Sequence, residues 1–244
     1  MIKRVLADAE LDGLPKYGIE AQKIRALLLC YGLKYDFCRF YAGDFRTGCA
    51  FLGELNGSFV LSVNGKCDFE ELAGFFAFGG FGEIFCSEAA GERLSALLQC
   101  GMQKVNVMRF GGNAVPCETE KAPPLDSVYG ILKTSFDIEF EPWYLDMSHR
   151  IRHGVSDFRK LDGSVLAIQH NINGEALLSQ IATLPEKRGK GNARRLILSV
   201  CAELSDSTVY IICEDKLSDF YGKTGFIHTR NACRLFRNNS QNAP

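Results

Sequence analysis

No two of the chain's ten cysteines stand in a Cys-x-x-Cys pair. That absence excludes the zinc sites built from closely spaced ligands. With Cys30, Cys201 and Cys213 inside apolar stretches, the cysteines read as buried free thiols of a reducing compartment and not as a disulfide framework. Also lacking is any apolar run long enough for a signal peptide or a membrane span, and Met1 to Glu10 already carries Lys3, Arg4, Asp8 and Glu10. A cytoplasmic location is therefore expected, with no membrane partner. Neither sign of charge dominates: 28 Lys and Arg face 29 Asp and Glu. The chain as a whole has no pull on nucleic acid, and none is expected as a partner. A Walker loop is missing, and so is a dinucleotide fingerprint, which needs a third glycine three residues after its second. What remains, in 244 residues that are 46% hydrophobic and 23% charged, is a globular protein able to bury a substantial core in one large domain or two small ones.

One segment is chemically distinctive. Ile181 to Arg195 reads Ile-Ala-Thr-Leu-Pro-Glu-Lys-Arg-Gly-Lys-Gly-Asn-Ala-Arg-Arg, a loop of glycines and cations joining an apolar strand to an apolar helix. Upstream, Glu175 to Thr183 is small and apolar. Downstream, Leu196, Ile197, Val200, Cys201 and Leu204 share one helical face. Glycines let the main chain approach a ligand, and the first amides of a helix have no partner inside it. The helix end, with Lys187, Arg188 and Lys190, then favours an anion such as a pyrophosphate.

Within that segment, Arg188-x-x-Gly191-x-Ala193 resembles the acyl-CoA loop of the GNAT superfamily of acetyl-CoA-dependent N-acetyltransferases, written Arg/Gln-x-x-Gly-x-Gly/Ala. A β-branched run, Ser207 to Cys213, follows the helix. After it, Phe220-Tyr221-x-Lys223-x-Gly225-Phe226 is similar to the signature that closes the same superfamily's cofactor site. The two motifs stand in family order with the expected strand between them.

The resemblance implies acetyl-CoA as cosubstrate, a primary amine as acceptor, direct attack within a ternary complex, and no metal. It implies that Ile181, Ala182 and Thr183 pair their backbone with the pantetheine arm from a strand diverging at a bulge. Arg188, Gly189, Lys190, Gly191, Asn192 and Ala193 would then surround the pyrophosphate, chiefly through main-chain N–H groups. Tyr221 falls where the family has a tyrosine that donates a proton or hydrogen bond to the CoA sulfur, a role suited to a phenol that stays protonated near neutrality. The alternative is a core tyrosine between Phe220 and Phe226. Glu175 falls where some members place a catalytic base. It also follows the Asn173-Gly174 turn, where a solvated glutamate is ordinary, and many members deprotonate the amine through water.

The expected fold class is α+β with a mixed sheet, in two GNAT-like halves. Strand-like runs at 37–41, 48–55 and 58–63, with Asn56-Gly57 between the last two, precede a helix at 69–78, a strand at 83–86 and a helix at 88–99 capped by Ser87. The order recurs: strands at 155–161, 165–170 and 175–183, a helix from Asn192, a strand at 208–213 and a helix at 217–223. Residues 1–110 are expected as a degenerate half, because Asn64-Gly-Lys-Cys-Asp68 offers one glycine and one cation offset by Asp68. The Gly- and Pro-rich segment 111–126 is expected as a linker, 127–238 as the catalytic domain, and 239–244 as a tail. A single α+β domain with a long surface loop is the alternative.

Glu141 to Gly154 holds the chain's one tryptophan, Trp143. Asp146, His149 and His153 can share a helical face there, yet no second ligand cluster supports a metal site. Arg152 and His153 are candidate acceptor contacts, set against a solvated or structural role. The basic group Lys187, Arg188, Lys190, Arg194 and Arg195 lacks the interleaved aromatics of a nucleic-acid surface. A catalytically inactive acyl-CoA sensor or a structural protein is the competing function. The motifs name the donor and not the acceptor, and no feature fixes an oligomeric state.

Overall fold

The computed structural model describes residues 1–237, and the expected tail, 239–244, lies outside the described residues. The chain divides into two units: Met1–Asn106 with the described residues from Arg230 onward, and Val107–Thr229.

The first unit runs β1 (Ile2–Arg4), α1 (Ile19–Tyr31), β2 (Cys38–Phe45), β3 (Thr47–Leu55), β4 (Ser58–Lys66), α2 (Phe69–Gly79), β5 (Glu83–Ser87), α3 (Glu88–Leu98) and the start of β6 (Gly101–Phe110). Asn56 and Gly57 take φ of 49° and 79°, the two positive values a tight hairpin turn requires. They set the β3–β4 register from Leu55↔Ser58 to Thr47↔Lys66. Ser87 caps α3, its Oγ accepting the Ala90 N–H at 3.4 Å. Asp68 caps α2, accepting the N–H groups of Glu70 and Glu71 at 3.0 Å each. Leu52, Leu61, Leu72, Phe76, Ile84, Leu94 and Leu235 form the buried core of this unit.

In the second unit β7 (Glu120–Lys121), α4 (Leu125–Leu132) and α5 (Phe140–Arg152) precede β8 (Asp157–Leu161), β9 (Ser164–Ile172), β10 (Glu175–Thr183), α6 (Asn192–Glu203), β11 (Thr208–Cys213), α7 (Ser218–Thr224) and β12 (Phe226–Phe236). Strands β2-β3-β4 and β8-β9-β10 are each antiparallel, and β4–β5 and β10–β11 are parallel. The class is α+β with mixed pairing, and the element order recurs. Along β9, Val165 and Ala167 pack with α4 and α5 residues while Leu166 and Ile168 pack with α6. Both faces are thus buried, and the strand reads as a continuous apolar run. Burying side chains such as Leu196 and Val200 of α6, both fully enclosed, contributes about 2 kcal/mol each.

The segment 111–126, expected as a linker, belongs to the second unit. Ser199 Oγ of α6 donates to the Cys117 carbonyl at 2.7 Å and accepts the Cys117 N–H at 3.1 Å. The division falls inside β6, and the chain returns to the first unit inside β12, whose Ala232–Phe236 pair antiparallel with Ser87–Glu83 of β5. Among the described residues no helix is long and apolar enough to cross a membrane.

Candidate active site

Strand β10 leaves β11 at one end while keeping β9. Its parallel pairing with β11 covers Glu175–Leu178 against Thr208–Ile211 and stops there. On the other side, Ser179 pairs with Ala167 and Ala182 with Val165, so three steps along β10 match two along β9. The extra residue is a β-bulge. Gln180 sits in it at φ 47°, a region that costs a residue other than glycine roughly 1–2 kcal/mol. The result is a fork: from Ser179 to Thr183, β10 has no β11 partner. Ile181 packs toward the α6 core, and Ala182 toward α4 and α5.

After one 3₁₀ turn, Pro185–Lys187, the chain reaches α6 through Gly189 at φ 75° and Gly191 at φ 77°. Gly191 is the N-cap and brings no capping side chain. The first bond of the helical ladder is Arg195 N–H to Gly191 O at 3.0 Å. The amides of Asn192, Ala193 and Arg194 therefore precede the ladder, with no backbone acceptor among the described residues, at a positive helix end. Contrast α2 of the first unit, where the Asp68 carboxylate takes the corresponding first-turn donors.

Side chains around this loop are largely committed to holding it. Asn192 Nδ2 donates to Asp162 O at 3.1 Å and to Asp162 Oδ2 at 3.0 Å, and Lys187 Nζ meets Asp162 Oδ1 at 2.9 Å. Lys187 and Asn192 together hold the Asp162 carboxyl below its ordinary range, Lys187 being the larger cause. Arg188 donates Nε to Thr183 O at 3.0 Å and Nη2 to Ser135 Oγ at 3.1 Å, tying the end of β10 to the segment after α4. Two of the three cations expected to favour the anion thus have protein partners. Lys190, Arg194 and Arg195 form no ion pair among the described residues.

Tyr221, from α7, lies in one buried cluster with Cys213 and with Leu178 and Ile211, the pair at which the β10–β11 ladder ends. Its ring makes edge contacts with Phe220 at 5.1 Å and Phe226 at 5.9 Å between centroids. Burial, and secondarily the Cys213 thiol, push its phenol up to about 12. It is a neutral O–H donor throughout the physiological range.

Sequence comparison finds no matching family model and no matching curated protein. Structural comparison does find relatives. A candidate acetyltransferase from Pyrococcus horikoshii is 10% identical, covering 98% of this chain and 89% of its own, at a TM-score of 0.61. A GCN5-related N-acetyltransferase from Kribbella flavida is 13% identical over 91% of this chain and 95% of its own, at 0.59. The GCN5-related glucosamine N-acetyltransferase region of a fungal multi-domain β-N-acetylglucosaminidase is 11% identical over 97% of this chain and 38% of that longer protein, at 0.59. This chain has the GNAT fold.

Within the GNAT fold the remaining sequence candidates fall away from the fork. Glu175 opens β10, five residues before Gln180, which at the rise of an extended strand is about 17 Å. Arg152 ends α5 and donates Nε to Ser148 O at 3.3 Å, while the His149 and His153 rings lie 4.4 Å apart between centroids, tilted by 37°. Nine residues of helix, about 14 Å, separate Arg152 from Trp143, whose indole N–H reaches Gln180 Oε1 at 3.1 Å. Arg152 instead lines a groove of about 470 Å³ with Tyr144, Leu145, Ile151 and Phe158. Asp146 accepts Arg150 Nε at 2.8 Å, and no three His, Cys, Asp or Glu side chains among the described residues are grouped to hold a metal ion.

The buried phenol gives a pH signature. The folded protein keeps the Tyr221 proton where an unfolded tyrosine, near about 10, loses it. Stability from this source is complete below that value and falls as pH rises toward about 12. Thermal unfolding followed from about pH 8 to about pH 11 is expected to show a smaller alkaline loss in Tyr221→Phe than in wild type. Equal losses in the two proteins would remove the assigned burial.

Proposed function

We propose that this chain is an acetyl-CoA-dependent N-acyltransferase whose second unit, within 127–238, carries the site, beside a degenerate GNAT-like half in 1–110. The observation that carries this reading is the fork in β10 leading straight to an uncapped helix behind Gly191. The amides at the start of α6 suit a diphosphate, and the free edge of Ser179–Thr183 suits the amide groups of a pantetheine arm. The degenerate half is supported by Asp68, which occupies the donors that an anion needs at α2.

In this reading the neutral amine attacks the thioester carbonyl carbon while its proton leaves to water. A C–N bond forms, the C–S bond breaks, and the electron pair stays on sulfur. Tyr221 O–H donates to that sulfur, and holding the two reactants in line supplies the larger share of the rate.

Mass spectrometry of the native purified protein tests for carried CoA, and a thiol-release assay with acetyl-CoA and a panel of amines tests for turnover. CoA binding with thiol released by at least one amine class is the expected result. No CoA binding removes the proposal. The second reading is an acyl-CoA sensor, and binding without thiol release from any amine selects it.

A further inference from the structure

A left-handed backbone residue needs something to keep it there. Asn56, Asp162 and Asn173 take positive φ beside a glycine in hairpin turns, where the turn itself explains the conformation. Gln180 has no glycine neighbour and lies inside a strand. Its side chain meets Trp143. The indole Nε1–H donates to Gln180 Oε1 at 3.1 Å, and the indole is itself enclosed. Its ring stands 5.6 Å from that of Tyr129 and 6.0 Å from that of Phe158, in a cluster with Val165, Ala167 and Ala182. A buried indole N–H requires an acceptor, and Gln180 supplies it.

We propose that Trp143 is a positioning residue for the cofactor cleft. Its N–H latches Gln180, the latch holds the bulge, and the bulge keeps β10 apart from β11 beyond Leu178. The inference rests on reading the fork as the seat of the pantetheine arm. It separates two parts of one ligand: the latch acts on the arm along Ser179–Thr183, while the nucleotide end belongs to the start of α6.

Three substitutions and two probes test it. Trp143→Phe keeps an aromatic ring and removes the donor. Gln180→Met keeps length and removes the acceptor, and Gln180→Glu keeps an acceptor. Each protein is titrated with CoA and with 3′-phospho-ADP, the nucleotide part of CoA without its arm. Trp143→Phe and Gln180→Met are expected to weaken CoA about tenfold, the scale of one hydrogen bond. Both should leave 3′-phospho-ADP within about twofold, and Gln180→Glu should retain most of the CoA affinity. If Trp143→Phe fails to fold, Gln180→Met decides. Equal weakening of both ligands makes Trp143 general packing, and unchanged CoA affinity makes the latch idle; either overturns the inference alone. A wild-type protein that binds neither probe removes the proposed function and this inference with it.

Discussion

Gly191→Val is expected to lower CoA affinity on the order of 100-fold by titration calorimetry, and Lys190→Ala only about threefold. Around Gly191 there is open space, since a Cβ built there meets nothing within 4 Å. The loss therefore comes from the backbone and the ligand, not from a clash within the protein. At φ 77° a β-branched residue is forced toward another conformation, costing about 1–2 kcal/mol or more. Relaxing that strain rotates the amides of Asn192 and Ala193 away from a shared anion. A side chain also occupies the surface that the diphosphate must approach. Lys190 contributes a solvated charge, which salt screens. Gly191→Ala falls between the two. Should Lys190→Ala prove the more damaging, side-chain charge and not main-chain donors would be the grip, and the assignment of the α6 start would fail.

Once an accepting amine is found, Tyr221→Phe is expected to lower turnover on the order of 100- to 1,000-fold, the span of losing one hydrogen-bond donor aimed at a developing negative charge, with CoA affinity within about twofold of wild type. Phenylalanine preserves the edge contacts to Phe220 and Phe226, so the ring continues to fill its place beside Cys213. Only the O–H is removed. The elevated phenol makes it a poor source of a full proton at neutral pH but a dependable hydrogen-bond donor to a sulfur gaining charge. Unchanged turnover leaves Tyr221 as packing, and reduced CoA affinity makes it part of the binding surface.

What could be read without coordinates was local. Asn56-Gly57, Asn173-Gly174, Ser87 and the glycines of the 189–191 loop act within a few residues of themselves, and the elements they delimit lie close to the expected bounds. Helix α1 offers no such sign, because Ile19, Ala21, Gln22, Ile24, Ala26, Leu27, Cys30 and Tyr31 are buried around much of its circumference, which erases the amphipathic stripe. Strand β12 is interrupted by Thr229, Arg230 and Asn231. Their polar ends are met by Val107 O, Glu20 and Glu88, all more than 100 residues away in sequence. Lys104 of β6 is likewise balanced by Glu88 and Glu92. At the site, glycine marks where the loop turns left-handed, but nothing in Ser179-Gln180-Ile181 marks a bulge. Its explanation, Trp143, stands 37 residues upstream. Motif resemblance puts Arg188 among the residues around a pyrophosphate, chiefly through main-chain N–H groups; that its guanidinium ties Thr183 O to Ser135 Oγ is a contact between segments about 50 residues apart, which no local pattern carries.

The crossings within β6 and β12 make the second unit an insertion in topological terms, spliced into the first between Asn106 and Arg230. A gene shortened to end at Thr229 would preserve every residue named at the β10 fork, yet it would strip β5 of an antiparallel neighbour and bare a strand edge on the first unit. Dissection that respects the fold removes 107–229 as one piece and rejoins what flanks it, so the first unit is the host and the second is the guest.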